Sequence, residues 1–338
     1  MPRDSMSSGD EMRMTGDSRV PDVGIAVITY RAASLLKKCL PPLLASPLRP
    51  KLLVVNSSSN DGTVELATQM GAGVLVVPRH QFNHGTTREI ARRTLGTAIV
   101  VMMTPDATPI GTDLIPNLVR PIVNGEASVA YARQLPRGDA DFFEAFPRRF
   151  NYPDRSELRS IDDLPALGPQ TFFCSNVCAA WSNAALDSIG GFAPALSLED
   201  TIAAAKLLRA GHRIAYCADA LVEHSHDHDL RQEFKRQFDT GYVRAEYRHM
   251  LFSHGGDERR GAGYASTMLR HLMRKRPYAV PYALANLACK YSGYRLGFHG
   301  HRLPLWLKRR VSAQDFYWQD GATAGGMCAV TPEPRTTL

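Results

Sequence analysis

The sequence predicts an α/β fold in which a mostly parallel sheet is flanked by helices on both faces. Three observations predict it. Short, β-branched apolar runs alternate with helical segments of about ten residues from position 24 to 134, the pattern that parallel strands with helical crossovers require. Gly or Pro closes those helical segments, at Pro47, Gly71 and Gly96. Two strands also run straight into polar turns, Asn56-Ser57-Ser58-Ser59-Asn60-Asp61-Gly62-Thr63 and Thr104-Pro105-Asp106-Ala107. In such sheets ligands gather beyond the carboxyl ends of the strands, so the two turns are expected to share one cleft.

Taken in order, residues 24–30 form a run suited to a buried strand, and residues 34–45 read as a helix stopped by Ser46-Pro47. Strands follow at 52–55 and 74–77, separated by a helix over 63–70 that ends at Gly71. Residues 86–95 are a helix and 98–103 a fourth strand. Thr112-Asp113 supplies an N-cap for a helix to Val123, and 128–134 returns as strand. Residues 135–180 are rich in Pro and charge, with weak periodicity, and read as loops and short helices over the cleft. Capped helices are expected over 182–189 and 201–209, the first closed by Gly190-Gly191 and the second by Gly211. A strand ending in Glu223 then releases His224-Ser225-His226-Asp227-His228. Beyond 228 the pattern turns helical and basic, and no internal repeat is visible.

Composition bounds the function. The chain has 338 residues, enough for one large α/β domain with an appendage. The six cysteines are scattered, and only Cys174 and Cys178 are close, so neither a disulfide framework nor a four-ligand zinc site is expected. Reduced thiols in a cytoplasmic protein are the reading. Residues 1–21 lack the apolar core of a signal peptide and read as a disordered leader; residues 321–338 read as a disordered tail. From Arg231 to Arg310 there are 17 Lys/Arg against 5 Asp/Glu, which suits an anionic partner. Aromatic residues, among them Tyr278, Tyr282, Tyr291, Tyr294, Trp306 and Trp318, interleave with that charge. The mixture fits helices lying at headgroup level on an anionic membrane surface. No nucleic-acid motif accompanies it, and no apolar run reaches the ~18–20 residues that span a bilayer.

Four pieces now stand in order: the two polar turns, an acidic pair Glu199-Asp200 opening a helix, and the His224–His228 run. With them, residues 23–200 resemble glycosyltransferase family 2, whose members share the GT-A nucleotide-diphospho-sugar transferase fold. Phe82-Asn83-His84-Gly85-Thr86-Thr87-Arg88 is similar to the "FNHGxTR" segment of the bacterial rhamnosyltransferase subgroup. So are Phe172-Phe173-Cys174-Ser175-Asn176-Val177-Cys178, His224-Ser225-His226, Lys290-Tyr291-Ser292-Gly293-Tyr294-Arg295-Leu296-Gly297 and Phe316-Tyr317-Trp318. The likeness covers residues 23–318. It implies a GT-A catalytic domain at 22–228 and a basic helical region at 229–320.

The resemblance also implies roles. Thr29, Tyr30, Arg31, Asn56, Ser58, Asp61, His84, Gly85, Arg88 and Asp106 would bind the donor. The family carries an acid where this chain has Asn56, and an Asp-X-Asp metal motif where it has Thr104-Pro105-Asp106. Asp106 and His224 would hold a divalent cation, Mg2+ or Mn2+, which takes oxygen ligands and charge from a diphosphate. Asp200 would be the base that deprotonates the acceptor hydroxyl, with Glu199 in support; as plain structure, the same pair would cap a helix dipole. Phe173, Asn176 and Trp181 would line the acceptor pocket. Arg88, near a helix N-terminus, would reach the diphosphate.

The expected enzyme is an inverting transferase at the inner face of the cytoplasmic membrane. It would move L-rhamnose from dTDP-L-rhamnose onto a lipid-diphosphate-linked or polysaccharide acceptor, with no nucleic-acid partner. The alternatives are another nucleotide sugar, a nucleotidyltransferase, or an inactive glycan-binding scaffold. A nucleotidyltransferase wants a Gly-rich basic loop after its first strand, where this chain has Tyr30-Arg31-Ala32-Ala33. A scaffold would not explain the retention of Asp106, Glu199-Asp200 and His224.

Overall fold

A computed structural model describes residues 22–253, 256 and 258–318; the leader and the tail expected at either end lie outside them. The first half alternates as expected: β1 (Val23–Thr29), α1 (Ala33–Leu44), β2 (Lys51–Asn56), α2 (Thr63–Gln69), β3 (Gly73–Val76), α3 (His84–Leu95) and β4 (Ile99–Met103). Then come β5 (Thr108–Pro109), α4 (Leu114–Val123), β6 (Val129–Leu135), α5 (Phe142–Asn151), β7 (Glu157–Arg159) and α6 (Leu164–Leu167). Strand β8 (Cys178–Ser182), α7 (Asn183–Ser188), α8 (Glu199–Arg209) and β9 (Ile214–Glu223) complete the sheet region. The elements beyond it are helical: α9 (Leu230–Glu246), α10 (Arg248–Leu251), α11 (Glu258–Lys275), α12 (Val280–Phe298) and α13 (Leu305–Val311).

The nine strands form one sheet in the order β3-β2-β1-β4-β8-β6-β9-β5, with β7 paired to β9. Side chains alternate across it. On β1, Val23, Ile25 and Val27 face one core with Leu36, Leu40 and Leu118, while Ala26 and Ile28 face a second with Ala91, Phe172, Trp181 and Leu208. Both faces are therefore covered, as the alternation requires.

The sheet is more mixed than the sequence reading held. Pairs β1–β2, β1–β4, β2–β3 and β6–β9 are parallel. Pairs β4–β8, β6–β8, β5–β9 and β7–β9 are antiparallel. Two of the antiparallel pairs come from β8, which runs between β4 and β6, and the other two from the short strands β5 and β7 on β9. The β8 sequence, Cys-Ala-Ala-Trp-Ser, has no β-branched residue and no alternation, so strand propensity gives no signal there. The same segment of chain also holds α5, a ten-residue helix closed by a capping box in which Asp141 accepts from the Glu144 N–H.

Helix α12 crosses α9 at very close range, and glycines make this possible. A Cβ on Gly293 would meet the Phe234 carbonyl oxygen, and one on Gly297 the Phe238 carbonyl oxygen; from α9, a Cβ on Gly241 would meet Tyr294 O. Part of the Lys290–Gly297 motif is thus a packing surface. Phe238, Val243 and Trp318 then close over Ala195, Leu196 and Ile202, beside the start of α8. Among the described residues no helix is long and apolar enough to cross a membrane. Replacing Gly297 by Ala forces the two backbones apart and is expected to lower stability by about 1–3 kcal/mol. A urea midpoint equal to that of the parent chain would show that the close approach is dispensable.

Candidate active site

Thr104-Pro105-Asp106-Ala107 leaves β4 as a turn closed by Ala107 N donating to Thr104 O at 3.2 Å. It presents Asp106 to the chain that leaves β9. There His224 and His226 both turn to Asp106, and their ring centroids are 4.4 Å apart. His224 Nε2 lies 3.4 Å and His226 Nε2 3.5 Å from Asp106 Oδ2. One ligand atom from each of the three falls within 4.8 Å of the others. They open onto a cleft of ≈ 330 Å³ lined also by Ile28, Tyr30, Leu35, Thr104, Pro105 and Val177.

The hydrogen bonds fix how His224 meets Asp106. Its Nδ1 sits 2.9 Å from Gln134 Oε1, while Gln134 Nε2 donates to Ser175 Oγ at 3.0 Å. Oε1 can only accept, so His224 carries its proton on Nδ1 and turns an Nε2 lone pair towards Asp106. Burial pushes both imidazoles down, His226 to about 3 with help from the neighbouring His224. Burial also acts to raise the Asp106 carboxyl; the hydrogen bond and positive charge that the imidazoles bring when protonated outweigh it and hold the group well below the usual carboxylate range. Asp106 Oδ1 is buried without a partner. An ionised carboxylate oxygen and two imidazole lone pairs thus converge, and this donor set fits a divalent cation.

The second centre is the start of α8. Leu198 adopts a left-handed conformation, φ 58°, which costs of order 1–3 kcal/mol for a non-glycine residue and turns the next two carboxylates in different directions. Glu199 Oε1 lies 3.2 Å from Arg88 NH1 and accepts from Asn176 Nδ2 at 3.1 Å. Asp200 Oδ2 accepts from Asn176 N at 2.9 Å, and Oδ1 from Thr201 N at 2.7 Å. Burial would raise Glu199, but Arg88 overrides it and keeps the group ionised. For Asp200, burial and then the Glu199 charge push the carboxyl up to about 7. Two adjacent carboxylates driven apart in this way make an acid–base arrangement.

The chain from Cys174 to Val177 ties the centres together. Ser175 accepts from Gln134, Asn176 N donates to Asp200, and Val177 O accepts from Thr104 N at 3.1 Å.

Around the other turn, Asp61 is exposed and gathers bonds from Ser59 Oγ (2.8 Å), Thr63 Oγ1 (2.6 Å) and Ala33 N (3.2 Å). What burial it has would raise its carboxyl; those hydrogen bonds outweigh it and lower the group to about 2. Arg31 and Ser58 both take positive φ, 50° and 53°, at the ends of β1 and β2. Tyr30, 41% exposed, lines the cleft. Its ring stacks on Arg79 at 3.9 Å, and Arg79 in turn stacks on Phe316 at 4.3 Å.

Several residues expected to touch ligands are turned inward. Asn56 is fully buried: its Oδ1 accepts from Ser59 N and its Nδ2 donates to Ser59 Oγ, both at 2.8 Å, so it shapes the turn from within. Thr29 is buried too and donates to Val55 O at 3.0 Å. At the start of α3 the Gly85 and Thr86 N–H groups are already engaged, donating to Asn83 Oδ1, which also accepts from Ala195 N. Gly85 lies against the Ala193 carbonyl, where any Cβ would clash, and Arg88 is spent on Glu199. The His84 carbonyl, beside it, accepts from Arg88 NH1 at 3.1 Å, and burial pushes the His84 imidazole down to about 4.

On the acceptor side, Trp181 is wholly in the core, its Nε1 donating to Asn176 Oδ1 at 2.9 Å. Asn176 itself is buried between Trp181 and the two carboxylates. The Phe173 ring packs edge-on to Tyr131 and Tyr152. Sequence reasoning missed Gln134 and Arg148, which hold His224 by its ring and by its carbonyl (Arg148 Nε to His224 O, 2.8 Å). A polar Gln closing an apolar strand was the available signal for the first; nothing marked the second.

A family model described as glycosyltransferase-like family 2 matches residues 21–242. The chain belongs to glycosyltransferase family 2. It is 34% identical over 302 residues to the O-antigen chain rhamnosyltransferase RfbN of Salmonella typhimurium, covering 88% of this chain and 96% of that one. It is likewise 34% identical over 272 residues to the O-antigen chain rhamnosyltransferase WbaN of Salmonella anatum, covering 80% and 86%. In solved structures the fold is similar to the mannosyltransferase PcManGT of Pyrobaculum calidifontis, in complex with GDP-Man and Mn2+. That match has a TM-score of 0.53 at 18% identity and covers 89% of this chain and 86% of that one. S. aureus TarS 1–349 gives a TM-score of 0.51 at 13% identity, covering 83% and 91%. The family 2 chain is therefore a glycosyltransferase of GT-A fold, and the Asp106–His224–His226 cluster is its candidate metal centre.

Removing Arg88 from this family 2 enzyme strands Glu199 as a buried, uncompensated charge. Arg88→Ala is expected to cost about 3–5 kcal/mol of unfolding free energy, measured by denaturant titration. A loss below ~1 kcal/mol, the range of exposed pairs, would refute the buried pair as a structural keystone.

Proposed function

We propose that this glycosyltransferase moves L-rhamnose, with inversion, from dTDP-L-rhamnose to a glycan acceptor carried on a lipid diphosphate at the inner face of a bacterial cytoplasmic membrane. The observation that carries the sugar and the acceptor class is the likeness to two O-antigen chain rhamnosyltransferases over nearly their whole length. The chemistry rests on Asp200. Its carboxylate takes the proton of the acceptor hydroxyl as that oxygen bonds to the anomeric carbon from the face opposite the leaving group. The bond between that carbon and the diphosphate oxygen breaks in the same step, and dTDP departs with the electron pair.

Glu199 stays ionised beside Arg88 and keeps Asp200 more basic than an ordinary Asp, near the operating pH where a general base works best. A divalent cation, Mg2+ or Mn2+, held by Asp106, His224 and His226 would supply positive charge to the donor diphosphate. Tyr30, Arg31, Ser58 and Asp61 form the donor side of the cleft. Contact with an anionic membrane surface is supported by the basic helices after Asp229 and by their exposed rings, Tyr278 at 80%, Tyr291 at 66% and Trp306 at 66%.

A panel of nucleotide sugars tests the donor: dTDP-L-rhamnose is expected to be turned over in preference to UDP- and GDP-linked sugars, and a preference for one of those would overturn the assignment. Asp200→Asn is expected to lower transfer by about 10²–10⁴-fold while dTDP still binds. Because the base works ionised, kcat/KM should rise with pH through about 7 and level off above it; a flat profile from acid to neutral pH would falsify the base assignment. Asp106→Ala should abolish Mn2+ binding by calorimetry, and retained binding would move the metal centre elsewhere.

A further inference from the structure

A second cavity, of ≈ 320 Å³, lies on the far side of Gln134 from the metal centre, lined by Arg133, Arg148 and Arg149 together with Leu135, Tyr152 and Asp154. Its charge is unusual for this molecule. The fully buried arginines are compensated: Arg88 by Glu199, Arg92 by Glu89 and Asp187, and Arg159 by the carbonyls of Gln170, Thr171 and Phe173. Among the described residues, no carboxylate pairs with Arg133, Arg148 or Arg149. Arg133 Nε is buried without a hydrogen-bond partner, and Arg148 gives its Nε to the His224 carbonyl. The single carboxylate on the wall, Asp154, is exposed and makes no ion pair with them. Two part-buried guanidiniums and an exposed third at the mouth, without an anion, are electrostatically incomplete, and guanidinium forks match phosphate oxygens.

We propose that this cavity is an anion subsite that takes a phosphate-class group of the acceptor, an inference that rests on the acceptor being a lipid diphosphate. The same Gln134 and His224 that orient the metal centre form the partition between them, so a diphosphate seated here lies next to the reacting groups. The subsite is separate from the donor diphosphate, which belongs at Asp106. An acceptor whose phosphate sits so close carries few sugars between its diphosphate and the attacking hydroxyl.

Inorganic pyrophosphate titrated into the full chain in EDTA is the direct test. Binding is expected, equally strong in Asp106→Ala, and at least about tenfold weaker in Arg149→Gln and in Arg133→Gln, since each removes a charge-assisted contact. Arg149 is exposed, so its variant keeps the test open if Arg133→Gln does not fold. In steady-state transfer, pyrophosphate should compete with the acceptor and not with the donor, and both variants should raise the acceptor KM with the donor KM unchanged. Binding lost in Asp106→Ala, or unmoved by both arginine variants, overturns the subsite. Arginine-dependent binding that does not compete with acceptor assigns the cavity to free phosphate and overturns the acceptor assignment. Arginine-dependent binding without rhamnosyl transfer from any donor sinks the proposed function and leaves the subsite standing; transfer with binding indifferent to these arginines does the reverse.

Discussion

The buried ion pair between Arg88 and Glu199 is the constraint on which the rest of the site depends. It joins α3 to the start of α8 through side chains that are 5% and 6% exposed. In such surroundings a carboxylate without its cation would be protonated or would unfold the region. Paired, Glu199 is a fixed negative charge, and that charge one residue away adds to burial in lifting Asp200 out of the ordinary range. Asn176 serves both carboxylates, one with its side chain and one with its backbone, and is itself held by Trp181. The Asp200 carboxyl is thus tuned by groups that are themselves buried.

This explains why some residues of the FNHGxTR-like and FFCSNVC-like motifs are better read as a frame than as a binding surface. Asn83 stitches α3 to the chain at Ala195, Gly85 permits the approach, and Arg88 reaches through to Glu199. The motif's conformation is dictated by what it holds in place. The Asp106–His224–His226 cluster has a comparable frame in Gln134 and Arg148, and the two frames meet at Ser175 and Asn176.

Much of the fold was legible because it follows from periodicity. Strands β1, β2 and β4 are apolar and β-branched, and both faces of β1 and β4 are buried, so their burial is written in composition. Strand β8 was not legible: Ala and Cys carry no strand preference, and its place is set by pairing with β4 and β6, which are distant in sequence. At the site, Asp106, Asp200 and His224 could be recognised as chemistry-bearing residues at strand and helix ends. Direction could not. Whether Asn56, Trp181 or Arg88 points to the cleft or to the core is decided by neighbours distant in sequence, and a motif records identity without orientation.

The stack of Tyr30 on Arg79 on Phe316 has a bearing on how the enzyme is made. Ribosomes produce the Tyr30 loop early and Phe316 late, so this aromatic wall of the cleft lacks its outer brace until the carboxyl-terminal stretch has emerged and docked. An unfinished polypeptide therefore holds that side of the cleft slack.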